Sequence, residues 1–130
     1  KWLKKILKNI KGDWVILYGH HPWKSTGGHG NCSSDLNDLY KMINETKKVD
    51  LMLSGHDHDN QHLSFSNRPE LVICGTGSIT RPVLVRAKPK YLKYYDEKLS
   101  CCLITPISNE LFVQFYDTNK VCNYTFVIQK

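Results

Sequence analysis

Apolar residues at Trp2, Leu3, Ile6, Leu7 and Ile10 recur at helical spacing with lysines between them. That period predicts an amphipathic helix, ended by Gly12-Asp13. The unbroken apolar run Trp14-Val15-Ile16-Leu17-Tyr18 predicts a strand buried on both faces. From Gly19 to Ser33 the chain is rich in Gly, His, Pro and Ser, a long connection of the kind that usually carries function. Ser34 can cap a second helix with Leu36, Leu39, Tyr40 and Ile43 on its apolar face. Val49 to Ser54 predicts another buried strand, ending at Gly55-His56-Asp57-His58. His62 to Phe65 predicts a short strand, Asn67-Arg68-Pro69 a turn, and Leu71 to Cys74 a strand that stops at Gly75-Thr76-Gly77-Ser78. Lys88 to Lys98 reads as a polar loop with several tyrosines. Ser100 to Thr105 and Glu110 to Tyr116 read as strands, with Val121 to Ile128 a hairpin partner across the turn Asp117 to Lys120. The order is a layered α/β pattern with an antiparallel C-terminal section.

With 130 residues and 41% hydrophobic content the chain can bury one modest core. The net charge of +6 comes from scattered lysines rather than one basic stripe with interleaved aromatics, so nucleic acid is not expected as a partner. No apolar run approaches the roughly 18–20 residues that span a bilayer, so no transmembrane segment is expected in this chain. The first residue is Lys, and Lys1 to Lys5 reads as the interior of a helix, so the chain is expected to be a piece of something longer. The five cysteines form no Cys-x-x-Cys pair, which argues against a zinc ribbon or redox motif. Asn31-Cys32-Ser33, Asn44-Glu45-Thr46 and Asn123-Tyr124-Thr125 are glycosylation acceptor triplets, a weak sign of a secretory route.

The chemistry concentrates in Gly19-His20-His21-Pro22 and Gly55-His56-Asp57-His58. Each follows an apolar strand through a glycine that permits a tight turn, at the strand end where open α/β sheets collect ligands. Two imidazoles two residues apart in a kinked loop can face two adjacent ions, and His20 adds a third nitrogen donor from the neighbouring strand. Imidazole suits Zn, Fe, Ni and Cu. Two metals about 3.5–4 Å apart also need bridging oxygen donors, which these three histidines do not supply. Asp57 sits between two candidate ligands and reads as an acceptor that fixes a ring tautomer. Of six histidines, His20, His21, His29, His56 and His58 lie in the two loops. His21 reads as packing, His62 as a strand residue rather than a ligand, and Trp23 and Lys24 as flanking groups that either shape access or pack at the surface.

The ordered set Gly-His-x-Pro, His29-Gly30, helix, Gly55-His56-Asp57-His58 and Cys74-Gly75-Thr76-Gly77-Ser78 resembles the metallophosphoesterases of the calcineurin-like superfamily. Within them it looks most like the small, mammalian-type, tartrate-resistant-like purple acid phosphatases. The resemblance covers essentially the whole chain and implies a layered β-sandwich flanked by helices. Residues 1–130 would be the C-terminal part of a single catalytic domain. By motif, it implies that His20 and His56 hold a divalent metal and His58 a trivalent iron. The cofactors would be two metal ions, Fe with Fe, Zn or Mn. His29 matches a histidine that contacts the substrate phosphate and helps protonate the leaving alkoxide. Protonated, it would bind phosphate by a charge-assisted bond and favour acidic conditions. Asp59 replaces a common Asn, and Cys32 matches a loop cysteine whose partner lies upstream.

The family's two aspartates, tyrosinate and asparagine have no counterpart motifs here. The resemblance therefore implies that this chain holds the histidine half of the site and depends on the missing N-terminal portion of the same domain. Alone it is expected to be inactive, with apolar edges exposed. The implied activity is hydrolysis of phosphate monoesters, on a phosphorylated small molecule or a phosphoprotein, in a secreted or endolysosomal (vacuolar) setting. The alternatives are another metallophosphoesterase, such as a phosphodiesterase or nucleotidase, and a phosphatase-like scaffold without catalysis.

Overall fold

A computed structural model describes residues 2–66, 69–82 and 88–130. The predicted turn at Asn67-Arg68-Pro69 lies partly outside the described residues, since 67 and 68 are not among them. The elements run α1 (Trp2–Asn9), β1 (Ile16–Tyr18), α2 (Ser34–Glu45), β2 (Leu51–Ser54), β3 (Asn60–Leu63), β4 (Glu70–Cys74), β5 (Leu92–Asp96), β6 (Ser100–Ile107), β7 (Glu110–Asp117) and β8 (Cys122–Gln129). One sheet has the order β1-β2-β4-β3-β5, the other β6-β7-β8. β1, β2 and β4 pair in parallel, while β3 runs antiparallel to both β4 and β5. The second sheet is antiparallel throughout.

Alternation along the strands builds two cores. Leu51 and Val72 face the second sheet and pack with Leu111, Val113, Phe115 and Ile128. Met52, Leu63 and Leu71 point the other way, under the helices, with Leu7, Tyr40 and Ile43. Burying a side chain of this size stabilises by about 1.5–3 kcal/mol, so these two faces hold the layers together. The result is a helix layer on a mixed sheet on an antiparallel sheet, as the sequence pattern suggested. No helix among the described residues is long and apolar enough to cross a membrane.

Three expectations need correction. β1 is not buried on both faces: Ile16 is exposed and Tyr18 is 83% exposed, and among the described residues β1 is an edge strand paired only with β2. Lys88 to Lys98 is not simply a loop, because Leu92–Asp96 forms β5 on β3. Its Tyr94 stacks on Tyr124 of β8 with ring centroids 4.3 Å apart, so aromatic packing between the sheets overrides its polar composition. Finally, Ser33 rather than Ser34 is the N-cap of α2, and it makes no side-chain capping bond.

The turn after β2 is held from behind. Gly75 N–H donates to the Asp59 carbonyl at 3.0 Å. A Cβ at Gly75 would overlap the Asp57 carbonyl oxygen and stand 2.9 Å from its carbon. A Cβ at Gly55 would meet nothing within 4 Å. Gly75→Ala should therefore cost about 1–3 kcal/mol, while Gly55→Ala should be neutral or slightly stabilising. Chemical denaturation midpoints check both, and equal midpoints for the two variants would contradict this packing.

Candidate metal centre

The parallel ladder of β1 and β2 continues past the strand ends. Tyr18 lies opposite Leu53, Gly19 N–H donates to the Leu53 carbonyl at 3.0 Å, and Gly55 N–H donates to the His20 carbonyl at 3.1 Å. Two loops that are 36 residues apart in sequence are thereby locked side by side. The sequence assigned the sharp turn to the glycines, but the residue with left-handed backbone is His56 itself, at φ 66°. That conformation is costly for a residue with a Cβ and tends to persist at functional sites. It turns the His56 ring toward His20.

His56 Nδ1 stands 3.1 Å from His20 Nε2. Two nitrogens that each lie about 2.1 Å from one ion stand roughly 3.0–3.4 Å apart at bond angles of about 90–110°. The pair therefore has the bite of two ligands of a single metal. The His21 ring centroid is 4.4 Å from that of His56 and 4.9 Å from that of His20. One ring nitrogen from each of His20, His21 and His56 lies within 4.8 Å of the others. The structure thus gathers His21, read from sequence as packing, into the same group. His58 is not in that group. Its Nδ1 is buried and has no hydrogen-bond partner among the described residues, an unusual state for a buried nitrogen. Burial first, then the neighbouring His21, His29 and His20 rings, hold His56 below its ordinary pKa, against Asp57, which raises it. A depressed value keeps the ring neutral, the form that binds metal.

Asp57 is 1% exposed, and its carboxylate accepts the Ser25 hydroxyl and the His29 backbone N–H at 2.8 Å. Among the described residues its hydrogen-bond partners lie in the loop that carries His29, not on an imidazole ring. Gln61 extends the brace, since its Oε1 accepts Thr26 N–H at 3.0 Å and its amide donates to Ser25 Oγ at 3.1 Å. A Cβ at Gly27 would come within 2.6 Å of Asp57 Cγ, so the loop lies hard against the carboxylate. His29 is exposed, with its ring centroid 4.4 Å from that of His56. Arg81 Nη1 lies 2.7 Å from His29 Nε2. A guanidinium only donates, so in this contact Nε2 of His29 accepts. Arg81, Ser25 and Gln61 carry no sequence signal of their own. Arg81 reaches the site because its backbone N–H donates to the His58 carbonyl at 2.8 Å.

Among the described residues all five cysteines are free thiols. His62 is 4% exposed and bridges the sheets, with Nδ1 2.9 Å from the Tyr124 hydroxyl and Nε2 3.0 Å from Glu70. Trp23 stacks on Tyr40 and donates from Nε1 to Asn37 at 3.0 Å, beside a mostly apolar cavity next to His20 and His21 that Lys24 also lines.

The calcineurin-like phosphoesterase family profile matches residues 1–60. The chain is 35% identical over 115 residues to purple acid phosphatase 4 of Arabidopsis thaliana, covering 87% of this chain and 34% of that protein. It is 36% identical over 81 residues to tartrate-resistant acid phosphatase type 5 of Sus scrofa, covering 62% of this chain and 24% of that protein. The chain therefore spans about a third of the length of the curated relatives it matches. Among solved structures it superimposes on GAP50, described as the anchor in the inner membrane complex of Plasmodium, with a TM-score of 0.85 and 21% identity over 97% of this chain and 39% of that one. It also superimposes on a purple acid phosphatase from yellow lupin (Lupinus luteus) seeds, with a TM-score of 0.82 and 16% identity over 98% of this chain and 27% of that one. These two likenesses establish the fold.

Asp59 gives a pH-dependent handle on the turn. It is 1% exposed, and burial, reinforced by Asp57, Glu97 and Asp96, pushes its carboxyl up to about 6 against the stabilising Gln61 amide. The folded state thus binds this proton more tightly than the unfolded chain does. Stability from this group is lost as pH rises from about 4 to about 6, then stays flat. Asp59→Asn, which carries no charge, should raise stability by about 2 kcal/mol at pH 7.5 and by much less at pH 4.5. Thermal unfolding at the two pH values checks this, and a gain that is larger at pH 4.5 would reverse the sign of the account.

Proposed function

We propose, from the chain's place among the calcineurin-like phosphoesterases of purple acid phosphatase type, that it supplies the histidine side of a binuclear metal centre that hydrolyses phosphate monoesters. The observation that carries this reading is the 3.1 Å approach of His56 Nδ1 to His20 Nε2. In it, His20 and His56 hold one ion, and His58, with its unpartnered buried Nδ1, holds the other. His21 is near enough to be a competing donor to the first ion. The oxygen ligands come from outside this chain, from the remainder of the same domain. Iron paired with iron, zinc or manganese is the metal content this reading assigns.

Bound there, the ions supply Lewis-acid polarisation of phosphoryl oxygens. The chain's own residues do the rest. Asp57 and Gln61 hold the 25–29 loop so that His29 stands at the rim of the histidine group. With Nε2 taken by Arg81, Nδ1 of His29 is the ring nitrogen left to meet a phosphate oxygen or the leaving oxygen. The lowered pKa of His56 suits a site that keeps its ligands in mildly acidic surroundings. A phosphorylated small molecule or phosphoprotein is the substrate class, and a secreted or endolysosomal compartment is the setting.

The fold likeness to the Plasmodium anchor protein favours a second reading, a scaffold without catalysis. Presence of all four of His20, His29, His56 and His58 supports the catalytic one.

In the full-length protein, His20→Ala and His56→Ala should each lower metal content and leave about 1% of monoester turnover or less. His29→Ala should keep the metals and lower kcat about a hundredfold. Elemental analysis beside steady-state kinetics checks all three, and full turnover with full metal content in His20→Ala would refute the assignment.

A further inference from the structure

The exposed histidines of the two loops and the neighbouring Arg81 are cationic or neutral groups. His20, His21 and His29 are exposed, and Arg81 is exposed beside His29. The nearby carboxylates are buried. Asp57 and Asp59 are each 1% exposed, and both oxygens of Asp57 are occupied, by Ser25 and by the His29 N–H. Among the described residues Arg81 forms no ion pair with a carboxylate, and its side chain bonds to the His29 ring. An unneutralised guanidinium, tied at one nitrogen and held by its own backbone to the His58 carbonyl, is a fixed positive charge in search of an anion.

We infer that Arg81 is a phosphate clamp: anchored on His29 Nε2, it presents its remaining N–H groups to the unesterified oxygens of the phosphoryl group and selects monoesters over diesters. The inference rests on the phosphoesterase reading for the identity of the anion. A guanidinium has five N–H donors in a planar fork. With one directed at His29, the others can take two oxygens of a single phosphate in the bidentate geometry that favours Arg over Lys. A monoester or inorganic phosphate offers three unesterified oxygens and a second negative charge. A diester offers just two oxygens and a single charge, so the same fork holds it with weaker charge-assisted bonds. The anchor also couples the two residues, since His29 cannot turn to a substrate oxygen without releasing or carrying Arg81.

The test uses the full-length, metal-loaded protein and inorganic phosphate as the probe. Calorimetric titration should show phosphate binding weakened about tenfold to a hundredfold in Arg81→Gln, the range of one or two charge-assisted hydrogen bonds. Arg81→Lys should recover only part of the loss, and metal content should match wild type in both. In turnover, kcat/KM of Arg81→Gln should fall at least about tenfold further for 4-nitrophenyl phosphate than for bis(4-nitrophenyl) phosphate. A residue that merely props His29 would lower both substrates equally, and that result overturns the inference. So does an unchanged phosphate affinity in Arg81→Gln. If wild type binds phosphate through Arg81 yet hydrolyses neither ester, the clamp stands and the hydrolytic reading fails. If wild type hydrolyses monoesters and Arg81→Gln matches it, the hydrolytic reading stands and the clamp fails.

Discussion

Two backbone hydrogen bonds, Gly19 N–H to the Leu53 carbonyl and Gly55 N–H to the His20 carbonyl, carry the β1–β2 ladder beyond the strands and into the loops. The rest of the site depends on that extension. Loops at strand ends usually gain freedom once the ladder stops, and free imidazoles would spread apart in water. Here the ladder stops only after both loops have been placed, and His56 adopts left-handed backbone at its end. The cost of that conformation, of order 1–3 kcal/mol, has to be offset by the packing behind it. The close fit of Gly75 against Asp57 and the hydrogen bond from Gly75 to Asp59 provide that packing.

A second tier places His29. Asp57 is buried and spends its carboxylate on the 25–29 loop, so one side chain on the turn after β2 fixes where His29 stands. Asp59 beside it is held in a setting that disfavours its charge. Two carboxyl groups buried two residues apart are a strain on the fold, and the Gln61 amide, which contacts both Asp59 and Ser25, reduces it. Like-charge proximity of this kind is tolerated where it holds functional geometry in place.

Much of this was legible in the sequence because it rests on local signals. Helical spacing marked α1 and α2, apolar runs marked β2 and β4, and the glycine-histidine motifs marked the two loops. Two features escaped because they depend on partners distant in the chain. β5 reads as polar until Tyr94 meets Tyr124 of β8. β1 reads as buried on both faces, yet Ile16 and Tyr18 are exposed, which its apolar run does not reveal. At the site, the sequence singled out His20, His29, His56 and His58 but could not see that His21 would stand within ligand range of His20 and His56. Nor could it see that the kink would fall on His56 rather than Gly55. Arg81, 52 residues from His29, has no motif; its role appears only once its main chain is pinned to His58.

The central claim is that the His20–His56 pair is a metal bite. Anomalous diffraction from crystals of the full-length protein, collected on both sides of the absorption edge of the metal found in it, tests this directly. The account predicts a peak within about 2.2 Å of both His20 Nε2 and His56 Nδ1, with a second peak at His58. A protein that carries stoichiometric metal but places its anomalous peaks away from these nitrogens would contradict it.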